Sequence, residues 1–152
     1  MVAGHYLMTM MMSFAKTARK GRWKMRRLKF AKGLLRPVIS GDKKITLRRY
    51  KAEAHDFNVG DVILGIFEDG LSIPLLVTKD TVAKRFSELT EDEAIEDGFS
   101  DSQSAFEGVR KHYPHTAMFW FDYMAVIRFE VLKVEGIPVI SYNSYDEGEK
   151  VR

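Results

Sequence analysis

The sequence predicts an α+β fold, mainly β, in which an antiparallel sheet curls toward a barrel with two to three helices packed around it. Three observations carry this. Residues 45–78 hold three β-rich apolar runs joined by short turns, one of them the Asp69-Gly70 hairpin signal. Two capping-box patterns, Thr90 with Glu93 and Ser100 with Gln103, then open two amphipathic segments. A long aromatic and aliphatic run, residues 118–132, supplies a closing strand.

Taken in order, residues 28–30 alternate like a short strand. Pro37 suits the first position of a helix over residues 37–40, because its missing N–H would have no partner there. Gly41 ends that helix in the left-handed conformation. The strand over residues 45–50 follows, then a turn at Asn58-Val59-Gly60-Asp61 into a strand over residues 62–67. The return strand, residues 71–78, contains Pro74, which cannot donate to a ladder and so points to an edge or a bulge. A short helix over residues 91–97 ends at Gly98, and a second spans 101–112 until Tyr113-Pro114 stops it. Phe106, Val109 and Tyr113 share one face of it and pack on the sheet. In the closing run Phe119 and Trp120 read as core, with stacking on a base as the alternative; Asp122, Arg128 and Glu130 share the polar face.

Composition narrows the function. The 152 residues suit one domain with a real core, and 45% hydrophobic with 30% charged residues is the balance of a soluble globular chain. With no cysteine, disulfides, thiolate catalysis and zinc ribbons are excluded, and a cytoplasmic location is compatible. The four histidines lack metal-helix spacing, so no metal and no other cofactor is expected. The apolar run at residues 6–14 is too short to span a membrane and precedes its positive charges, the reverse of a secretory signal. The net charge of +3 conceals an asymmetry: residues 1–37 carry ten Lys/Arg and no acid, leaving 14 basic against all 21 acidic residues beyond them. The chain therefore divides into a basic, flexible arm (1–27), a domain (28–134) and a tail (135–152), with Met25 an alternative start. A basic arm of this kind suits contact with nucleic-acid phosphates.

Residues 40–49, SGDKKITLRR, gather a turn glycine, two lysines, a threonine and two arginines around Ile45 and Leu47. Such a segment can hold an anionic or carbonyl-bearing ligand, or can simply be a solvated strand face. Ser40, Gly41, Lys43, Thr46 and Arg48 form the pattern SGxKxxTxR. In order after it come Val59-Gly60-Asp61, Phe86-Ser87-Glu88-Leu89-Thr90, Ala94 through Gly98-Phe99, Tyr113-Pro114 and Arg128-Phe129-Glu130-Val131. This ordered run, over about residues 28–132, resembles the ASCH domain family of the PUA-like superfamily.

The resemblance implies a PUA-like closed β-barrel with a cleft floored by the GxKxxTxR segment, and RNA or a modified nucleoside as partner. Gly41, Lys44, Arg48 and Tyr113 would then bind ligand. One branch of the family is similar to an amidohydrolase that removes an acetyl group from the exocyclic nitrogen of cytidine, using a lysine, a threonine and a glutamate. Those positions fall on Lys43, Thr46 and Asp97, the last one methylene shorter than glutamate. Neighbouring Glu96 would point about 100° away on a helix. In that chemistry Thr46 attacks the acyl carbonyl, Lys43 serves as base after a fall in pKa, and Asp97 holds or protonates the leaving amine. Strict strand alternation would set Lys43 opposite Thr46, so the trio works only if Lys43 belongs to the turn. Binding ranks first and catalysis close behind, because the carboxylate is shortened.

Overall fold

The computed structural model describes residues 25–142, with side chains through residue 140. Residues 1–24 of the expected basic arm (1–27) and residues 143–152 of the expected tail lie outside the described residues; residues 25–27 are described, and Arg27 opens the first strand.

Among the described residues, nine strands and four α-helices follow one another: β1 (Arg27–Lys29), α1 (Leu35–Ser40), β2 (Ile45–Arg49), α2 (Ala52–His55), β3 (Val62–Ile66), β4 (Leu71–Val77), β5 (Val82–Arg85), α3 (Glu91–Glu96), α4 (Ser102–Arg110), β6 (Tyr123–Val131), β7 (Lys133–Val134), β8 (Ile137–Pro138) and β9 (Ser141–Tyr142). The fold is α+β, mainly β. The main sheet runs β1-β3-β4-β6-β2, with β5 also on β6 and β9 also on β4. Among the described strands only the β1–β3 pair is parallel.

The long strand β6 organises the sheet. One edge pairs with β2 from Met124 to Arg128. The opposite edge pairs first with β5, from Tyr123 to Val126, and then with β4, from Phe129 to Val131. Changing partners along one edge forces the sheet to coil. The barrel nevertheless stays open. The end strands β1 and β2 do not pair with each other, so the sheet is a half-barrel and not the closed one expected.

Two apolar clusters sit on the two faces of this sheet, and strand parity separates them. Ala125, Ile127, Phe129 and Val131 face the hollow of the half-barrel, with Leu28, Phe30, Ile63, Ile73 and Leu75. Met124 and Val126 face outward with Ile45 and Leu47, under Phe86, Phe106 and Val109. Strand β2 is therefore covered on both faces, which removes the solvated-face reading of residues 45–47.

Several local expectations shift. Helix α1 starts at Leu35, two residues earlier than Pro37 suggested. Proline is tolerated there because N–H groups of the first turn have no intrahelical acceptor. Gly41 does take the left-handed conformation, at φ 86°. Asp69 and Gly70 both have positive φ, 61° and 69°, and the Leu71 N–H returns to the Glu68 carbonyl, a tight type I′-like hairpin. Pro74 is in the interior strand β4, not at an edge. Its carbonyl accepts from the Leu132 N–H, so its donor-less nitrogen faces the gap between the end of β6 and β9. Thr90 and Glu93 form the capping box of α3, whereas Asp101, not Ser100, caps α4 by accepting from the Ser104 N–H. Helix α4 ends at Arg110, before Tyr113.

The closing strand begins only at Tyr123. Phe119 and Trp120, expected in the core, are 52% and 37% exposed. Asp122 explains this: its carboxylate accepts from the Phe119 N–H and turns residues 119–122 outward ahead of the strand. Phe119 then stacks on Phe121 instead of on the sheet, while Trp120 meets Phe106 edge-on.

Candidate functional site

A cavity lies at the seam left open between β1 and β2. It has a volume of about 670 Å³, within the usual size of small-molecule sites. The segment after β1 contributes Phe30, Lys32 and Leu34; β2 and the turn before it contribute Lys43, Thr46 and Arg48; the α3–α4 region contributes Asp97, Phe99, Gly108, Val109, His112 and Tyr113.

Each polar group is placed by an identifiable piece of local structure. The chain reverses at Gly41, and the Lys43 N–H bonds the Pro37 carbonyl, so Lys43 lies in the turn, two residues before β2 begins. Strand parity does not apply to it there. Thr46, inside β2, points away from Ile45 and Leu47 into the cavity and is 5% exposed. Asp97 caps the C-terminus of α3. Gly98 follows at φ 95°, which turns the chain so that the Phe99 N–H bonds the Ala94 carbonyl and Phe99 also reaches the cavity wall.

Lys43 Nζ donates to Asp97 Oδ1 in a direct ion pair whose side chains are 11% and 6% exposed. Asp97 Oδ2 accepts from the Leu47 N–H at 3.3 Å. Lys44 and Tyr50 bond β6 through their backbones, so by alternation the Leu47 N–H faces the open edge of β2. Asp97 satisfies an edge donor and a lysine at once. Arg48 donates from Nε to Thr46 Oγ1 at 3.2 Å and lies over the Phe30 ring, 5.2 Å from its centroid. Glu96 turns away, as its position on the helix requires, and pairs with Arg128 at 2.5 Å.

The electrostatics follow from burial. Desolvation pushes the Asp97 carboxyl above the ordinary carboxylate range, against the opposing pull of Lys43, the Leu47 amide and Arg48. Desolvation also lowers the Arg48 pKa, against the pull of Tyr113 and Asp97.

Among the residues singled out from sequence, Lys43, Thr46, Arg48, Asp97 and Tyr113 line this one cavity. Gly41 and Lys44 do not. They line a separate depression of about 240 Å³ with Ser40, Glu130 and Lys133, on the far side of Lys43. The two polar pairs, Lys43–Asp97 and Arg48–Thr46, are not hydrogen-bonded to each other. The apolar wall of Phe30, Leu34, Phe99 and Val109, and the rim residues Lys29, Lys32 and His112, were not legible from sequence. The signals that place Phe99 and Phe30 were nonetheless present in Gly98 and in the β1 alternation. Among the described residues no group of three His, Asp or Glu side chains can hold a metal ion, and no helix is long and apolar enough to cross a membrane.

No protein-family model and no curated protein matches the chain. Solved structures do. A protein from Enterococcus faecalis V583, EF3133, described as a DUF984 family member, is 15% identical with a TM-score of 0.56, covering 78% of this chain and 88% of its own. A hypothetical protein, PH0355, is 23% identical at a TM-score of 0.49, covering 68% and 95% respectively. A Pyrococcus furiosus protein, PF0455, is 21% identical at 0.46, covering 70% and 96%. At such identities only the fold is shared, and the likeness to the Enterococcus faecalis protein is the one that carries it.

Proposed function

We propose that the protein is an ASCH-type binding module that takes a nucleoside, free or within RNA, into the cavity at the β1–β2 seam. The observation that carries this reading is the convergence of Lys43, Thr46, Arg48 and Asp97 on one cavity with an apolar wall. Phe99 and Tyr113 offer ring surfaces for a planar base, and the Thr46 hydroxyl and Asp97 offer hydrogen bonds to its edge. The basic segment before β1 adds contacts to RNA phosphates. The test is titration calorimetry with ribonucleosides and short single-stranded RNA. Saturable binding that Thr46→Val together with Phe99→Ala weakens at least tenfold is expected; no heat with any of these ligands removes the reading.

A second reading is favoured by the Lys43–Asp97 contact, which sets a buried acid–base pair beside Thr46 in the same cavity. It is hydrolysis of an acyl group from the exocyclic amine of cytidine. Thr46 Oγ1 attacks the acyl carbonyl, the C–N bond breaks with a proton passing to the amine, and water then releases the acid. The ultraviolet spectrum of acetylated cytidine reports this directly. No turnover by the wild-type protein, or full turnover by Lys43→Ala, leaves only the binding reading.

A further inference from the structure

We infer that the ligand is anionic, a nucleotide and not a nucleoside, with its phosphate held by the guanidinium of Arg48 and by Lys29 and Lys32 at the rim. The inference rests on the nucleoside-binding reading and names the charge its ligand must carry.

The argument starts from a charge imbalance. The cavity lining holds four cationic side chains, Lys29, Lys32, Lys43 and Arg48, against one carboxylate, Asp97. That carboxylate is engaged by Lys43. Arg48 thus sits in the cavity wall, largely desolvated, with no carboxylate in contact. Asp97 acts on Arg48 only through space and is itself paired with Lys43, so a bound anion would complete a guanidinium that is partly withdrawn from water.

The geometry of Arg48 is that of a receptor. Its Nε donates to Thr46 Oγ1 and its plane rests over Phe30, which fixes two sides of the group. Among the described residues no acceptor engages its Nη1 and Nη2, the two nitrogens that make a fork for two phosphate oxygens. Thr46 therefore positions Arg48, and the hydroxyl hydrogen of Thr46 stays available to the ligand. Lys29 and Lys32 are exposed, have no carboxylate partner among the described residues and flank the same opening. The wall of Leu34, Phe99 and Val109 is the apolar counterpart. A ligand with a flat apolar ring at one end and a phosphate at the other matches both.

The phosphate can belong to a free mononucleotide or to a nucleic-acid chain, and the experiment separates them. Calorimetric titration of the full chain would use the four ribonucleosides, their 5′- and 3′-monophosphates, and a short single-stranded RNA. Monophosphates are expected to bind at least tenfold more tightly than the matching nucleosides, with a preference that shrinks as salt rises. Tight monophosphates and no added affinity for RNA identify a free nucleotide; RNA tighter than any monophosphate identifies a chain phosphate. Arg48→Gln should abolish the preference, and Lys29→Ala with Lys32→Ala, on the exposed rim, should lower it several-fold without unfolding the domain. Nucleosides binding as tightly as monophosphates would overturn this inference and leave the nucleoside reading standing. No binding of either overturns both, and a preference that survives in Arg48→Gln overturns the assignment to Arg48.

Discussion

Lys43 and Asp97, 54 residues apart in the chain, form a direct ion pair that ties the turn before β2 to the C-terminal cap of α3. The same carboxylate occupies the Leu47 N–H on the open edge of the sheet. One side chain therefore both holds the helical layer against β2 and sets the charge pattern of the cavity beside it.

Asp97→Asn tests how much the domain depends on this tie. It leaves Lys43 nearly buried without its carboxylate, and a broken pair of this kind costs about 3 kcal/mol or more. The double variant Lys43→Met/Asp97→Asn removes both charges while keeping an amide acceptor for Leu47. Urea denaturation should show it at least about 1 kcal/mol more stable than Asp97→Asn alone. Strictly additive losses would mean that the two charges do not interact.

Thr46→Val keeps the shape of the side chain and removes the acceptor for Arg48 Nε. The lost hydrogen bond should lower stability by about 1 kcal/mol. The more telling readout is ligand selectivity, because the guanidinium loses the contact that fixes its plane. Thr46→Ser should restore both. If serine fails to restore them while the fold remains intact, packing by the threonine methyl, not the hydroxyl, is what matters.

The residues that form the site were legible in sequence where a motif or a turn rule fixed them. Lys43 and Thr46 share a cavity because Gly41 ends α1 and leaves Lys43 ahead of the strand, a point that local chemistry could anticipate. What escaped was everything set by how the sheet coils. The seam stays open because β1 and β2 do not meet, and no stretch of sequence announces a pairing that fails to form. Lys44 and Gly41 sit in the same motif as Lys43, yet they face the other depression, because the turn splits adjacent residues between two sides. The aromatics at 119–121 misled for a related reason: hydrophobicity marks a strand candidate, but the bond that the Phe119 N–H donates to the Asp122 carboxylate decides where the strand starts.

Gly108→Ala probes the cavity wall from behind. A Cβ at Gly108 would stand 2.3 Å from one atom of the Phe99 ring and 2.5 Å from the next. Alanine favours the helix interior by up to about 1 kcal/mol, so the local preference and the clash oppose each other. Phe99 borders the cavity and can yield in that direction, which limits the net stability loss to roughly 1–2 kcal/mol. The ring then fills the ligand space, and affinity should fall at least tenfold. Wild-type affinity in a folded Gly108→Ala protein would show that the ligand does not touch Phe99.

His55 gives the fold a pH dependence with a definite sign. Burial, reinforced by the nearby charges of Arg48 and Lys51, lowers its pKa from 6.5 to about 4. The neutral ring fits the structure, since Nδ1 accepts from the Lys51 N–H at 3.1 Å and closes α2. An unfolded chain takes up this proton near pH 6.5 and the folded one only near pH 4. The contribution of His55 is thus complete above pH 6.5 and is lost as pH falls toward 4, by at most about 3 kcal/mol. Asp97 works in the opposite sense, because its raised pKa makes the folded state favour the proton, and stability from that group falls as pH rises above its unfolded value of 3.8. Urea midpoints measured from pH 7 down to pH 4 should therefore drop in the wild-type protein and drop much less in His55→Asn, whose side-chain carbonyl can replace the Nδ1 acceptor. Equal slopes in the two proteins would mean that His55 takes up its proton as readily in the fold as in the unfolded chain.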